Sequence, residues 1–226
     1  MAKIIDKRNL AGPFWLIKLQ LDDDFLFQPG QYVSVKVAED GSRRSYSIAS
    51  SPDGKTLELL VDVAPMGLGS KFFLATKVGE LIEILGPIGI FKVSPPKYGQ
   101  VLFVATGSGI VPFKPMIKDL LEKQKFGGKV ILQWGMRHEK DLFWIEEFKA
   151  MREKYPNFIF DVVLSQPEGE WLDCSGHVED CLTKHNESWA GWESYICGNQ
   201  KMIMEVGGLV QKMGMKLEDV HFEKFF

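Results

Sequence analysis

The first half of the chain has the pattern of short β-strands. Polar and apolar residues alternate, or apolar residues form short runs, over 14–21, 32–37, 44–48, 57–63 and 81–85. Turn-forming stretches that contain proline and glycine, such as 28–30 and 52–54, separate these runs. A succession of short strands without helical periods between them predicts a small antiparallel β-barrel.

The second half alternates between strand and helix patterns. Strands are predicted over 101–105, 129–135, 158–164, 194–197 and 220–225. Helices are predicted between them over 112–124, 141–155, 178–185 and 199–212. Asp141 has the residue type of a helix cap for the second of these helices. The alternation predicts an α/β fold, a doubly wound parallel sheet with helices on both faces.

Two consecutive prolines, Pro95 and Pro96, lie where the two patterns meet. Proline ends helices and central strands, and a pair of prolines stiffens a connector. We therefore expect two domains, a β-barrel over 1–97 and an α/β domain over 98–226. With 226 residues, the chain is long enough for each domain to bury a core of its own.

The composition is that of a soluble globular protein, with 45% hydrophobic and 25% charged residues. A net charge of −3 offers no broad attraction for nucleic acid, so a nucleic-acid function is not expected. No run approaches the roughly 20 apolar residues of a membrane span, and the first residues lack the apolar stretch of a secretory signal. We therefore expect a cytoplasmic protein.

The cysteines and histidines predict neither a metal site nor a disulfide. Cys174, Cys181 and Cys197 are odd in number and include no C-x-x-C pair, so neither a disulfide framework nor an iron–sulfur or zinc site is indicated. The four histidines lack the spacing of metal ligands. We expect no bound metal.

The strand predicted over 44–48 is a candidate ligand site. Arg44, Tyr46 and Ile48 would share one face, while Ser45 and Ser47 would share the other. A planar ligand could lie on the tyrosine ring with a phosphate near the arginine. An ordinary amphipathic strand is the alternative, since tyrosine and isoleucine are common in strands.

Two glycine-containing turns lie before predicted helices. Gly67, Gly69 and Ser70 precede a short helix predicted over 71–76, where free backbone N–H groups suit an anion. A flexible turn before a surface helix is the alternative. The second turn, over 106–112, follows the first strand of the second half, where doubly wound sheets bind phosphates. It matches neither G-x-G-x-x-G nor a Walker loop, and a structural tight turn is the alternative.

Five segments, in order along nearly the whole chain, resemble motifs of the ferredoxin–NADP reductase superfamily. This superfamily comprises FAD- and pyridine-nucleotide-dependent reductases, including the reductase components of bacterial oxygenases and flavin reductases. The segments resemble R-x-Y-S at 44–47, G-P-x-G-x-F at 86–91, T-G-T-G-I-A-P at 106–112, C-G-x-x-x-M at 197–202 and the aromatic C-terminus at 222–226. Ser108 and Val111 are conservative departures from the third motif.

The resemblance implies an FAD site in the first domain. Tyr46 would stack on the isoalloxazine ring, Ser47 would hydrogen-bond near its redox-active nitrogen, and Arg44 would pair with the phosphate. The glycine turn before the short helix would hold the pyrophosphate. The other residues expected at this site are Ile48, Gly67, Gly69 and Ser70.

The resemblance also implies a nicotinamide nucleotide site in the second domain. Cys197 would place its thiol beside the nicotinamide, although a buried cysteine with no such role is the alternative. Phe225 or Phe226 would cover the flavin and yield to the nicotinamide, unless it is a plain core aromatic. The residues expected to bind the nucleotide are Thr106, Gly107, Ser108, Gly109, Pro112, Arg137, Ser165 and Gly198.

The same resemblance favours NADH over NADPH. NADPH-selective members read the 2′-phosphate with a basic residue just after a serine at the end of the third strand. Here Ser165 is followed by two carboxylates, Glu168 and Glu170, which would repel a phosphate. Arg137 or Lys140 could still support NADPH binding.

The electron acceptor has several candidates. Without a cysteine cluster the chain lacks the fused iron–sulfur domain of many oxygenase reductases. Electrons would therefore leave to a separate protein, such as a ferredoxin, flavodoxin or oxygenase, or to a small molecule. Bound FAD is favoured because the 65–70 loop and the aromatic terminus are features of members that retain it. The alternatives are a reductase of free flavins and a non-catalytic regulator.

Overall fold

The computed structural model describes residues 1–184 and 187–225. The chain forms two compact units, one of Met1–Val93 with Val111–Asp119 and one of Ser94–Ile110 with Leu120–Phe226. None of the helices in the described part of the chain has the length and apolarity needed to cross a bilayer.

The first unit is built mainly of antiparallel strands. Its elements are β1 Ala2–Ala11, β2 Phe14–Leu21, β3 Tyr32–Lys36, β4 Arg43–Ser47, β5 Thr56–Asp62, helix α1 Leu68–Ala75, β6 Leu81–Ile82, β7 Ile84–Ile88 and helix α2 Phe113–Lys118. The strands form one sheet of order β5-β2-β1-β6 and another of order β4-β3-β7. A bridge between Ile48 and Leu59 joins the sheets around a core that includes Val33 and Phe73. This half-barrel confirms the predicted antiparallel fold.

The long strand β1 was not predicted from the sequence. It pairs with β2 along nearly its whole length, but the register shifts between Ile4 and Asp6. Ile4 is buried, whereas the next residue, Ile5, is 38% exposed. Because the apolar Ile5 occupies an exposed position and the register shifts beside it, the sequence of β1 lacks the regular polar–apolar alternation by which a strand is recognised.

The second unit is a parallel sheet with helices. Its elements are β8 Gln100–Thr106, a 3₁₀ turn Gly107–Ile110, β9 Lys129–Met136, α3 Ile145–Lys154, β10 Phe158–Leu164, β11 Cys174–Ser175, α4 Val178–Cys181, β12 Glu193–Gly198, α5 Gln200–Lys212 and β13 Val220–Lys224. All neighbouring strands are parallel, in the order β11-β10-β9-β8-β12-β13.

Helices cover both faces of this sheet, which confirms the predicted doubly wound architecture. Side chains alternate between faces along β10. Phe160 contacts Phe148 of α3, with ring centroids 4.9 Å apart. Val163 instead belongs to the core cluster that contains Val206 and Val210 of α5.

The helix predicted over 141–155 begins later than expected. Residues 139–141 form a 3₁₀ turn and α3 begins at Ile145, so Asp141 is not its cap. Phe143 and Trp144 are buried, and Phe143 packs edge-on against Trp134 at 4.9 Å. Trp144 has a φ of 57°, a left-handed conformation outside the helix. The burial of two aromatic residues has overridden the helical pattern.

The expectation of no disulfide was wrong. Cys174 in β11 and Cys181 at the end of α4 form a disulfide, with their Cα atoms 6.3 Å apart. The chain turns between them at Gly176, whose φ is 110°. The two cysteines are brought together because β11 pairs with β10 and the chain then turns back into α4, a placement that no C-x-x-C pattern reveals.

Candidate cofactor sites

Strand β4 carries the first set of candidate residues. Arg44 is exposed and donates a hydrogen bond to the carbonyl of Arg43 at 2.7 Å. Within the described residues it has no ion pair, whereas Arg43 pairs with Glu83 at 2.6 Å. The guanidinium of Arg44 is therefore available to an anion.

Tyr46 is half-buried and packs edge-on against Phe73 of α1, with ring centroids 5.1 Å apart. Burial raises the pKa of Tyr46 to about 12, because the phenolate would be poorly solvated, and the nearby Arg44 opposes the shift. The phenol is therefore protonated at neutral pH and can donate a hydrogen bond.

The first turn of α1 meets these two residues. A Cβ atom added at Gly69 would collide with the hydroxyl of Tyr46 and would lie 3.4 Å from Cγ of Arg44. The helix thus approaches β4 so closely that a larger residue at Gly69 would have to displace the side chain of Tyr46. The N-terminal residue Gly67 makes no side-chain cap, and Ser70 is buried with its hydroxyl 3.4 Å from the carbonyl oxygen of Asp62.

The two residues that follow Tyr46 in the sequence, Ser47 and Ile48, are buried. Ser47 is buried, with 6% of its surface exposed. Ile48 lies beyond the end of β4, is fully buried in the core, and donates its backbone N–H to Gln31 at 3.0 Å. Ile48 was expected to share one side of the strand with Arg44 and Tyr46, but β4 ends at Ser47 and Ile48 bridges to Leu59, so its side chain lies in the core.

The second set of candidates surrounds the turn after β8. Gly107 has a φ of 56°, and its carbonyl accepts a hydrogen bond from Nε1 of Trp134 at 2.9 Å. A Cβ atom added at Gly109 would lie 2.6 Å from the carbonyl carbon of Cys197 and 2.9 Å from the amide nitrogen of Gly198. The turn is therefore pressed against the carboxyl end of β12.

Gly198 completes this close packing. It has a φ of 148°, and an added Cβ atom would collide with the hydroxyl of Thr106. Asn199 links the same parts: Nδ2 lies 3.5 Å from Oγ1 of Thr106, and Oδ1 caps α5 by accepting from the N–H of Met202 at 2.9 Å. Phe225 donates its N–H to the Gly198 carbonyl at 2.9 Å.

The structure thus brings Thr106, Gly107, Gly109, Cys197, Gly198 and Phe225 to one edge of the parallel sheet, where doubly wound folds bind ligands. Pro112 immediately precedes α2 with a φ of −65°. Phe226 lies outside the described residues. Sequence reasoning had not singled out Trp134 or Asn199; the preference of asparagine for helix caps was the available signal for Asn199.

Cys197 is buried with no exposed surface. Burial, with a smaller contribution from Glu223, raises the pKa of its thiol well above the ordinary value. The thiol is therefore neutral at physiological pH, which suits a small packing group and argues against a thiolate nucleophile.

The ends of β9 and β10 form the neighbouring part of the same edge. Ser165 and Gln166 donate backbone hydrogen bonds to Met136 at 3.0 Å and Arg137 at 2.9 Å. Arg137 is exposed. Lys140 donates to Glu168 at 3.0 Å, which raises the pKa of the amine and lowers that of the carboxyl.

Two family models match the chain. The FAD-binding domain of oxidoreductases matches residues 1–93, and the NAD-binding domain of oxidoreductases matches residues 103–207. The chain belongs to the ferredoxin–NADP reductase superfamily. It is an NAD(P)H-dependent flavin oxidoreductase of that superfamily.

Named relatives agree with this assignment. The chain is 29% identical to the reductase subunit of an aromatic O-demethylase from Amycolatopsis, over 99% of this chain and 68% of that protein. It is also 29% identical to ferredoxin–NADP reductase B of Sorangium cellulosum, over 89% of this chain and 86% of that protein. A crystal structure of a cytochrome P450 reductase from Amycolatopsis superposes with a TM-score of 0.92 and 28% identity, covering 99% of this chain and 68% of that one.

The chain spans only part of several of its relatives. It covers 59% to 68% of the length of the matched electron-transfer components of demethylase, monooxygenase and dioxygenase systems. The matched region contains both nucleotide-binding domains of the reductase superfamily.

The residues of the first unit fit FAD. Three features come together at Arg44, Tyr46 and Gly69. They are a cation available to a phosphate, a half-buried tyrosine and a helix that closely approaches both side chains. Guanidinium suits a phosphate, an aromatic face suits the flavin ring, and a helix N-terminus suits negative charge.

Proposed function

We propose that the chain takes hydride from NADH and passes electrons, through bound FAD, to a separate protein such as a ferredoxin, a flavodoxin or an oxygenase component. The observation that carries this proposal is the meeting of α1 with β4 at Gly69, beside Tyr46 and Arg44. A site assembled from two elements favours a retained cofactor over a transient flavin substrate. The names of two relatives, a reductase subunit of an O-demethylase and a ferredoxin–NADP reductase, support a protein acceptor.

The residues of the FAD site have distinct proposed roles. Tyr46 would cover the flavin ring, Ser47 would hydrogen-bond near its redox-active nitrogen, and Arg44 would neutralise a phosphate. Gly67, Gly69 and Ser70 would leave room for the pyrophosphate at the start of α1. When bound, FAD supplies a two-electron acceptor that can release electrons singly or in pairs.

The nucleotide site uses backbone more than side chains. Residues 106–109 would cradle the NADH pyrophosphate, and Pro112 would start the next helix without losing a hydrogen bond. Cys197 and Gly198 would lie beside the nicotinamide, while Arg137 and Ser165 would lie toward the adenosine. We further propose FAD-binding and NAD(P)-binding domains over 1–97 and 98–226.

The C-terminal aromatics and the choice of nucleotide complete the proposal. Phe225 or Phe226 would cover the flavin and yield to the nicotinamide. NADH would be preferred over NADPH, because Glu168 and Glu170 place negative charge on the segment that follows Ser165. No step needs a metal, since positioning of the hydride donor and acceptor in a water-poor site supplies much of the rate.

Cofactor content tests the proposal directly. The purified protein should be yellow, should release stoichiometric FAD on denaturation, and should oxidise NADH with ferricyanide without added flavin. A colourless protein that oxidises NADH only when riboflavin or FMN is supplied would instead identify a reductase of free flavins. No NADH oxidation with any acceptor would refute the proposed transfer of hydride from NADH to FAD. A pull-down followed by reconstituted electron transfer would identify the acceptor.

A further inference from the structure

The side chains of His138, Lys140 and Glu168 converge at the adenosine end of the proposed nucleotide site. Nζ of Lys140 lies 3.0 Å from Oε1 of Glu168, and Nδ1 of His138 lies 3.7 Å from the same oxygen. His138 also lies 3.1 Å from the backbone carbonyl oxygen of Gln166, which holds its ring beside the segment that carries Glu168. One carboxylate therefore engages two of the three basic side chains over 137–140, while the third, Arg137, is exposed.

The position of this cluster follows from the sheet order. Lys140 and His138 follow β9, and Glu168 follows β10, while the pyrophosphate turn follows the adjacent strand β8. In doubly wound folds, the residues after the neighbouring strand contact the ribose of the adenosine and distinguish a 2′-hydroxyl from a 2′-phosphate. A cation in this place would favour NADPH if it were free.

We propose that Glu168 weakens NADPH binding by holding Lys140, so that this lysine is a latent 2′-phosphate ligand. Glu168 acts in two ways: its charge repels the phosphate, and its ion pair occupies the cation that would otherwise bind it. The inference deepens the NADH preference proposed above and rests on it. General repulsion would involve Glu168 and Glu170 alike, whereas the ion pair assigns the discrimination against NADPH to Glu168.

Glu170 provides the matched comparison. It lies two residues from Glu168 and is exposed, and in the described part of the chain no ion pair is found for it. Removing the charge of Glu170 removes one carboxylate's repulsion of the 2′-phosphate, as removing that of Glu168 would, but it leaves the ion pair of Lys140 with Glu168 intact. General repulsion predicts similar effects of both substitutions, whereas the proposed lock predicts a large effect of Glu168 only.

The test compares kcat/KM for NADPH with that for NADH, using ferricyanide as acceptor at low ionic strength. We expect Glu168→Gln to raise the NADPH to NADH ratio by about tenfold, since a freed ammonium gains a charge-assisted bond while both partners remain solvent-exposed. Glu170→Gln should raise the ratio by less than about twofold, because exposed charges without a partner contribute little. Adding Lys140→Ala to Glu168→Gln should remove most of the gain.

A binding measurement separates recognition from turnover. Calorimetry should show that Glu168→Gln binds 2′-phospho-AMP more tightly than wild type does, while its affinity for 5′-AMP is unchanged. The gain in affinity for 2′-phospho-AMP should shrink at high salt. If wild type prefers NADH but Glu168→Gln leaves the ratio unchanged, or if Glu170→Gln matches its gain, the inference is overturned while the proposed function stands. If wild type prefers NADPH, the inference and the NADH preference both fail, although FAD-dependent electron transfer does not.

Discussion

Substituting alanine for Gly109 tests whether the turn after β8 binds the nucleotide through its closeness to β12. The new methyl carbon would lie 2.6 Å from the carbonyl carbon of Cys197, whereas ordinary contact begins at 3.4 Å. The carbonyl oxygen of Cys197 would be closer still, so the turn would have to retreat by about 1 Å or more. The atoms that it meets are backbone and cannot rotate away, so the displacement falls on the turn itself or on the end of β12.

The size of the effect follows from this displacement. Errors of about 1 Å in positioning can cost on the order of 100-fold in rate, and overpacking of a well-packed site costs about 1–3 kcal/mol of stability. We expect Gly109→Ala to lower kcat/KM for NADH by about 10- to 100-fold. The FAD content should remain that of wild type, because the flavin residues belong to the other unit.

The assay is steady-state NADH oxidation with ferricyanide, at a temperature well below the melting transition of every variant, with FAD measured by absorbance. Gly208→Ala is the matched control. Gly208 lies in α5 of the same unit, has open space around an added Cβ atom, and should gain about 0.5–1 kcal/mol of helix stability. A kcat/KM for Gly109→Ala within twofold of wild type would refute the assigned role of the close packing.

Three further predictions concern other parts of the chain. Tyr46→Ala should weaken FAD binding by about tenfold or more in ultrafiltration titrations, since an aromatic stacking surface is lost. Tyr46→Phe should retain most of the affinity, whereas full FAD retention by the alanine variant would contradict stacking of Tyr46 on the flavin. Asp219→Ala should lower the unfolding free energy by about 1–3 kcal/mol in urea titrations, because a buried carboxylate that accepts a hydrogen bond from Lys97 at 2.9 Å is lost. That bond helps to hold the pKa of Asp219 below its usual range despite burial, so the stabilisation should be present above about pH 3.9 and be lost as the pH falls through the lowered pKa. An unchanged acid unfolding transition in the variant would count against this contribution of Asp219. Cys197 should resist iodoacetamide in the folded protein at pH 8 and react after denaturation, because its thiol is buried and its pKa is raised; rapid labelling of the native protein, located by mass spectrometry, would disprove this.

Much of the fold was readable from local patterns. The predicted strand over 158–164 has the observed bounds of β10, and the predicted strands and helices of the second half occur in the expected order. Local periodicity reports which side chains are buried, and burial follows the period of each element. Where local and tertiary demands conflict, the pattern misleads, as at Trp144 and at the bulge in β1.

The sites divide in the same way. The sequence alone was enough to identify the glycine turns, the R-x-Y-S segment and the superfamily, because each of these is a run of neighbouring residues. It could not show that Gly69 touches Tyr46, that Cys174 bonds to Cys181, or that Ile48 turns into the core.

Long-range pairing explains the difference. Lys140 and Glu168 are 28 residues apart, and they meet because β9 and β10 are parallel neighbours in register. Gly109 and Cys197 come together because β8 pairs with β12. A single sequence records the chemistry of each residue and the period of its own segment. Which cation is held, which glycine is crowded and which thiol is buried depend on strand order, and only the folded chain supplies that order.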